Sequence, residues 1–306
     1  MPDFRIPVGQ WAKALVDWIT DNLAWLLDFI ALIVRTMVES LSDALVAIPA
    51  PVVILVAGFS SWFVRSWKLA IGTMVSFLLI IGMNMWVPAM QTLSLVLVAT
   101  LVAVVIAVPL GIWSASSTRV SAVLKPLLDF MQTMPAMVYL IPAIVFFSIG
   151  VVPGLVATVI FALPPGVRFT ELGIRGVDSE TVEAGYAFGA TPSQILRGIQ
   201  LPLAMPTIMA GINQVIMLAL SMAVIAGMAG ADGLGKMVVE AISTINIGKG
   251  VEAGLSVVIL AVYLDRVTAA LGTPRQYPTS LLNAVLARRD LRRKARAKEA
   301  IGTQHN

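Results

Sequence analysis

The chain has 306 residues, 58% of them hydrophobic and only 12% charged, with a mean hydropathy of +0.90. A soluble domain carries about 25% charged residues, so the composition excludes a soluble globular enzyme and a disordered tail protein. Cysteine is absent and His305 is the single histidine, which removes thiol catalysis, disulfides, Cys/His zinc sites and histidine general-base chemistry.

Hydropathy replaces a count of soluble domains with a count of membrane spans, each needing about 20 apolar residues. Met1 to Gly9 carries Asp3 and Arg5 with no apolar run directly behind, so it is not a signal peptide. Residues 10–48 read as amphipathic helix. Trp11, Leu15, Trp18, Ile19, Leu23, Leu26 and Leu27 recur at three- and four-residue steps, while Asp17, Asp21 and Asp28 interrupt them. A helix lying in the interface, with its Trp residues at headgroup depth, fits this pattern. The competing reading makes 23–41 a span with Asp28 and Arg35 facing protein.

Seven apolar segments follow, at about 50–64, 69–87, 92–113, 128–149, 152–167, 206–228 and 251–271. With the 65–68 turn inside, 16 of the 21 Lys and Arg residues fall on the inside and 5 on the outside. The positive-inside rule then sets the N-terminus outside and the C-terminus in the cytoplasm. If 23–41 also spans, the N-terminus moves inside and the rest is unchanged. Pro88, Pro109, Pro135, Pro142, Pro153, Pro164 and Pro165, with Gly72, Gly82, Gly111, Gly211 and Gly227, lie in or beside these segments. Freed backbone groups in a membrane must be satisfied by neighbours or by water, so the pattern describes an all-α transmembrane bundle built to bend.

Residues 168–205 form the longest non-terminal stretch between spans. Asp178 or Ser179 can cap a helix whose first turns hold Glu180 and Glu183, near its positive end. Ala184, Ala187 and Phe188 give it an apolar face, and Gly189 ends it. Thr191 or Ser193 can cap a second helix with Pro192 in its first turn and Ile195, Leu196 and Ile199 on its apolar side. Pro202 and Pro206 are expected to stop it. Two short helices joined at a glycine corner, presented on the inside, have a purpose only if something docks there or if they pack on their own bundle.

This stretch resembles the EAA loop of ABC-importer permeases. Glu183, Ala184, Gly189, Ile199, Leu201 and Pro202 stand at the positions of that pattern, and Gly185 replaces its second alanine. The segments Leu128 to Pro142, Ala162 to Arg168, Leu201 to Gly211 and Leu264 to Thr268 are similar to the glycine betaine/proline importer permeases. The likeness covers roughly residues 45–272. It implies a type I ABC importer permease bundle, to which the hydropathy pattern assigns about seven transmembrane helices plus an N-terminal amphipathic helix. The expected layout is an interfacial region 1–48, two peripheral helices in 49–91, a permease core 92–272 with the coupling loop 168–205, and a basic tail 273–306.

The resemblance further implies a second copy of the permease, two cytoplasmic ATPase subunits and an external or periplasmic solute-binding protein. Glu183, Ala184 and Gly185 then form the inserting end, Gly189 the corner, and Ile199, Leu201 and Pro202 the start of the following helix. The implied cargo is glycine betaine, proline or a related osmolyte. This chain is expected to hold no cofactor and to hydrolyse nothing; ATP and magnesium belong to the partner. Gly230 to Met237 fits the P-loop spacing up to Gly235-Lys236, but Met237 stands where a Ser or Thr would hold magnesium, and no strand precedes it. The short ends on either side of the spans leave no room for a fused receptor or ATPase, so those partners are expected as separate chains.

Aromatic faces hold quaternary ammonium groups best, which makes Trp86, Phe130, Tyr139, Phe146 and Phe147 candidates near the cargo. Asn213, Gln214 and Asp129 are polar in or beside spans and either line a wet path or bond between helices. The Met205, Met209, Met217, Met222 and Met228 run reads as adaptable packing. Asp232 and Glu240 are candidate contacts to the delivery protein. The seven basic residues from Arg288 to Lys298 read as lipid attraction and not as a nucleic-acid site. Three rival readings stand beside this one: a permease for choline or another amine, an ion-coupled secondary transporter, and a membrane scaffold with no transport role. The secondary transporter should carry ionisable residues inside its spans, and the Pro- and Gly-broken spans argue against the scaffold.

Overall fold

The computed structural model describes residues 7–285; the basic run 288–298, His305, Asp3 and Arg5 lie outside the described residues. All regular structure among the described residues is helical. Helix α1 (Val8–Asn22) and helix α2 (Ala24–Ala47) meet at Leu23, and α2 then bends by 105° into α3 (Ala50–Val64). The bend is local chemistry. Ile48 precedes Pro49, whose ring forces it out of the helical region, and it takes ψ 131°. Asp28 and Arg35 are exposed, while Val34 and Val38 are buried where α2 packs on the bundle.

Helix α4 (Trp67–Gly82) is capped by Ser66, whose hydroxyl accepts from the Leu69 N–H at 3.3 Å. It stops well short of residue 87, because Asn84 takes a left-handed φ of 56°. Trp86 instead opens helix α5 (Trp86–Ser116), whose 31 residues extend the expected 92–113 segment at both ends.

The apolar segment 128–149 is likewise not one rod. Helix α6 (Thr118–Thr133) ends at Met134, which precedes Pro135 and is extended at ψ 133°. A 3-10 turn at 136–139 and helix α7 (Leu140–Phe147) follow after a bend of 106°. Helix α8 (Val151–Arg175) does the opposite and runs eight residues past the expected end at 167, straight through Pro164 and Pro165. Helix α9 (Ser179–Ala187) and the one-turn α10 (Pro192–Ile195) lead through a π-turn at 196–200 into α11 (Leu201–Ala226). A 3-10 turn at 227–229, α12 (Leu234–Ser243), α13 (Ile247–Gly272) and a last 3-10 turn at 274–276 follow.

Four helical rods among the described residues are long and apolar enough to cross a membrane: α5, α8, the continuous 192–229 rod and α13. The count reaches six if the bent pairs α2–α3 and α6–α7 each make one span, and α4 is a shorter apolar helix. The seven apolar segments are all present, but three of them are short or broken.

Helix α8 lies between α5 and α11 and forms the spine of the bundle. Lipid tails are as apolar as leucine, so helices associate in a membrane through close packing and interhelical hydrogen bonds. The sequence supplies the small residues for this. Ala99, Ala103, Ala107 and Gly111 recur every fourth residue along α5, and all are buried. A Cβ on Gly166 of α8 would sit 2.8 Å from the Ala107 Cβ, and one on Gly111 would sit 2.5 Å from the Thr170 Cβ. On the other side of α8, a Cβ on Gly211 of α11 would lie 2.5 Å from the Phe169 Cβ. Gly72 and Gly82, by contrast, have open space at the Cβ position.

Hydroxyl pairs tie the outer helices together. Ser61 bonds Thr73 at 3.0 Å between α3 and α4, and Ser60 bonds Tyr263 at 3.0 Å between α3 and α13. Ser94 donates to the Val38 carbonyl at 2.8 Å and so pins α2 to α5. One buried hydroxyl, that of Thr100 in α5, has no hydrogen-bond partner among the described residues. Thr100→Val keeps the shape and removes the unsatisfied group. Its expected effect is a gain of about 1 kcal/mol in stability, read as a raised melting temperature of the detergent-purified chain.

Candidate functional site

The helix pair at 176–200 forms as its local sequence requires. Asp178 is the N-cap of α9: its carboxylate accepts from the Glu180 N–H at 3.4 Å and from the Thr181 hydroxyl at 3.1 Å. At the other end Phe188 is the C-cap and Gly189 takes φ +79°, the left-handed region that glycine enters freely. The Gly189 N–H donates to the Tyr186 carbonyl at 2.9 Å and the Ala190 N–H to the Gly185 carbonyl at 3.1 Å. This double bond pattern is a Schellman ending, which satisfies carbonyls that a short helix would leave open. Thr191 then caps α10 in a complete capping box, with its N–H donating to Gln194 Oε1 at 2.7 Å and its hydroxyl accepting from the Gln194 N–H at 3.4 Å.

The expected stop at Pro202 and Pro206 does not occur. The rod runs from Pro192 to Ala229. Pro202 lacks the N–H that an α-helix would need, and the π-turn just before it changes the bonding pattern: the Leu201 N–H reaches back to the Leu196 carbonyl. The second helix of the pair is therefore the end of α11 and not a separate element.

Gly185 is half-buried where α9 leans on the rod. A Cβ there would meet Ile199 Cδ1 at 2.8 Å and Ile195 Cγ1 at 3.4 Å. The missing methyl lets α9 seat closely on Ile195, which is buried, and on Ile199, which is half-buried. Glu183, Ala184 and Ala187 face away from the chain and are exposed. Tyr186 is 51% exposed and Phe188 93% exposed. The apolar face expected of this helix is real, but it has no partner among the described residues. Tyr186 and Phe188 thus present two exposed rings at a capped corner outside the long rods.

Beside this corner lies a polar cluster that the sequence reading passed over. Glu171 and Arg175 in the last turns of α8 form an ion pair at 3.1 Å, with Ser114 of α5 and Ser121 of α6 donating to the same carboxylate at 2.7 Å each. The only sequence signal was the Glu-to-Arg spacing of four residues. Asp129, a candidate for a wet path, is paired with Arg168 across α6 and α8.

Tyr139 is buried, its hydroxyl donates to the Met131 carbonyl across the α6 break, and its ring tilts against Phe161 at 6.1 Å. Asn213 donates to Asp265 Oδ1 at 2.8 Å and accepts from Thr268 at 2.5 Å, linking α11 to α13. Phe130 and Gln214 are exposed. Trp86 packs edge-on against Phe77, and Phe146 against Phe147. Of the methionine run, Met222 is fully buried, whereas Met205 and Met228 are exposed. The four candidate path residues thus divide into Tyr139 and Asn213, whose side chains bond within the chain, and Phe130 and Gln214, whose side chains have no such bond among the described residues.

The glycine-rich stretch 230–235 is a packing element. A Cβ on Gly235 would lie 2.5 Å from the Ala223 carbonyl oxygen, so α12 rests directly on the α11 backbone. Lys236 pairs with Asp232 at 2.8 Å, and that carboxylate holds its ammonium above the usual lysine range. Glu240 pairs with Lys249 at 2.8 Å.

A helical bundle spined by close-packed small residues, carrying a capped corner that projects from its spans, defines a membrane permease component. Residues 107–273 match the family described as binding-protein-dependent transport system inner membrane component. Over 264 residues the chain is 47% identical to the glycine betaine transport system permease protein OpuAB of Bacillus subtilis (strain 168), covering 86% of this chain and 94% of that protein. It is 45% identical over 267 residues to the glycine betaine/proline betaine transport system permease protein ProW of Escherichia coli (strain K12), covering 87% of this chain and 75% of that one. The fold is similar to a chain of the MetNI methionine ABC transporter solved in inward facing conformations, with a TM-score of 0.55 at 22% identity, covering 59% of this chain and 91% of the other. The chain belongs to the binding-protein-dependent inner membrane permease family of ABC importers. It is a transport subunit and not the catalytic one.

Proposed function

We propose that this chain is the permease through which an ATP-driven importer brings glycine betaine, proline betaine, proline or a related quaternary-ammonium osmolyte across the inner membrane. The observation that carries the coupling half of this reading is the unpartnered apolar tip of α9 on a corner fixed by two caps and a Schellman ending. The relatives named for glycine betaine carry the cargo half.

In this reading the α9 end of the bundle faces the cytoplasm, as the lysine and arginine bias requires, and the N-terminus lies outside. Two copies of the permease stand on two ATPase subunits, which bind ATP and magnesium, while an external binding protein delivers cargo. Region 1–48 lies along the outer interface, 49–91 forms the periphery, 92–272 the core, and the basic tail 273–306 sits at the inner lipid surface. Glu183, Ala184 and Gly185 form the end that enters a groove of the ATPase, Gly189 sets its angle, and Ile199, Leu201 and Pro202 anchor it to α11. The tip transmits force by shape, so no proton transfer is asked of it. Phe130 and Gln214 are offered as cargo-facing residues, with Tyr139 and Asn213 holding the helices that carry them.

The test is uptake of labelled glycine betaine into vesicles rebuilt from this chain, its ATPase and its binding protein. Uptake is expected to require all three chains and ATP. Phe188→Ala, which removes the exposed ring at the C-cap and leaves the backbone bonds of that cap in place, is expected to lower it roughly ten-fold, the size of a lost interface anchor. Uptake by this chain alone under an ion gradient would overturn the importer reading. ATP-dependent uptake of choline in place of betaine would overturn the cargo.

A further inference from the structure

Glu171 is the one charged residue that is buried among the described residues, at 6% exposure. Its carboxylate is fully engaged. Ser114 Oγ donates to Oε2 at 2.7 Å, Ser121 Oγ donates to Oε1 at 2.7 Å, and Arg175 Nε stands 3.1 Å from Oε1. Arg175 also donates through Nη2 to the Ser114 carbonyl at 2.8 Å. Ser114 belongs to the last turn of α5, Ser121 to the first turn of α6, and Glu171 and Arg175 to the last turns of α8. One ion therefore joins three helices.

Burying an ion pair is a poor way to gain stability, since an apolar set of the same volume holds helices as well or better. A buried ion is better suited to fixing one particular arrangement of the elements around it. The place of this one is informative. Arg175 is the last residue of α8, and three residues later Asp178 caps α9. Force applied to the α9 tip enters the bundle along two routes. One runs through α10 and the π-turn into α11. The other runs through Gly176 to Asp178 into α8, at the turn where the carboxylate binds α5 and α6.

Helix α6 leads from that point to its break at Met134, where Tyr139 holds the Met131 carbonyl. A second charged link, Arg168 to Asp129, joins α8 to α6 further along. Between the two links lies a cavity of about 370 Å³ lined by Lys125, Asp129, Arg168, Glu171, Leu172 and Arg175.

We propose that Glu171, held by Ser114, Ser121 and Arg175, is a positioning residue that makes α5, α6 and α8 follow the α9 corner as one unit. It touches neither nucleotide nor cargo. Through it, the stroke delivered at α9 reaches the broken helix α6–α7, and ATP hydrolysis is kept in step with movement of that helix. The inference rests on the importer reading of α9.

The experiment measures ATP hydrolysis and labelled uptake in the same vesicles, holding permease, ATPase and binding protein together. Glu171→Gln keeps the shape and removes the charge. Cargo-stimulated hydrolysis is expected to persist while uptake per ATP falls roughly ten-fold, within the ordinary range of a coupling energy. Arg175→Gln is expected to give the same phenotype and to add little to Glu171→Gln, while Arg175→Lys restores part of the ratio. Where Glu171→Gln does not insert, Ser121→Ala is read instead, with a smaller loss of the same ratio.

Hydrolysis and uptake falling in equal proportion, or an unchanged ratio in both Glu171→Gln and Ser121→Ala, would overturn the proposal and leave the cluster a packing feature. Failure of the wild-type vesicles to couple uptake to ATP would instead sink the importer reading, whatever the variants do.

Discussion

Replacing Gly189 with proline is expected to abolish ATP-coupled uptake, replacement with alanine to reduce it, and replacement with asparagine to leave most of it. The ranking follows from one dihedral angle. Gly189 sits at φ +79° with nothing within 4 Å of its Cβ position, so a new side chain meets no obstacle and only backbone conformation is tested. Alanine in the left-handed region costs roughly 1–2 kcal/mol, and asparagine less because its side chain bonds locally there. Proline cannot adopt a positive φ at all, and it also removes the N–H that donates to the Tyr186 carbonyl. With that bond lost, the Schellman ending fails. A nine-residue helix with one end uncapped does not hold its shape in water. The measurement is uptake in the three-chain vesicles beside circular dichroism of the purified permease. Because the long rods lie elsewhere, helix content should change little while transport vanishes. Wild-type transport by Gly189→Pro would mean that the corner is not the coupling element.

The second large effect concerns Gly227. A Cβ there would lie 2.3 Å from the Gly235 carbonyl carbon and 2.5 Å from the Lys236 nitrogen. Both obstacles are backbone, so no side chain can turn aside to make room. Gly227→Ala must push α12 off α11. Overpacking of this kind costs about 1–3 kcal/mol and more where the neighbours cannot yield. The damage should spread, since the seat of α12 also supports the 2.8 Å bond from the Leu234 N–H to the Thr92 hydroxyl. The expected result is a clear fall in melting temperature and in yield of the inserted chain. Gly72→Ala is the matched control. It lies in the interior of α4 with open space around it, so the same change there is expected to stabilise by up to ~1 kcal/mol. Equal effects at the two sites would refute the packing argument.

That contrast also marks what the sequence makes legible. Both glycines lie in apolar segments and look alike as helix breakers. Only the fold separates Gly72, where an added Cβ would touch nothing, from Gly111, Gly211 and Gly227, where it would strike a neighbouring segment. The helix corner was legible because its signals are local: Asp178 and Thr191 as caps, Gly189 as the residue that ends α9, and the resemblance of 183–202 to a known loop. Helix ends governed by partners were not. Proline-rich α8 continues to Arg175 because α5 and α11 pack along it, and Pro202 is absorbed by a π-turn that no periodicity announces. The break at Met134 was within reach, since Pro135 restricts the residue before it. The Glu171 cluster draws on residues from three helices, so only its Glu171 to Arg175 spacing shows in the chain, and that spacing is common on exposed helices.

The π-turn at 196–200 closes its hydrogen-bonded loop with one residue more than the α-helix on either side of it. In an α-helix each residue turns the chain by about 100°. The direction in which the α9 tip points is therefore a matter of phase, set by a single surplus residue between the corner and α11. Had the prolines simply ended the helix, the corner would hang from a flexible joint and its bearing would be undefined. Because the winding is continuous instead, residues 192–229 form one rod, and the corner that carries the α9 tip keeps a fixed angular offset from the rest of α11. A torque applied at the corner is then felt along the whole rod, and the offset decides which side of the rod it turns toward the neighbouring helices.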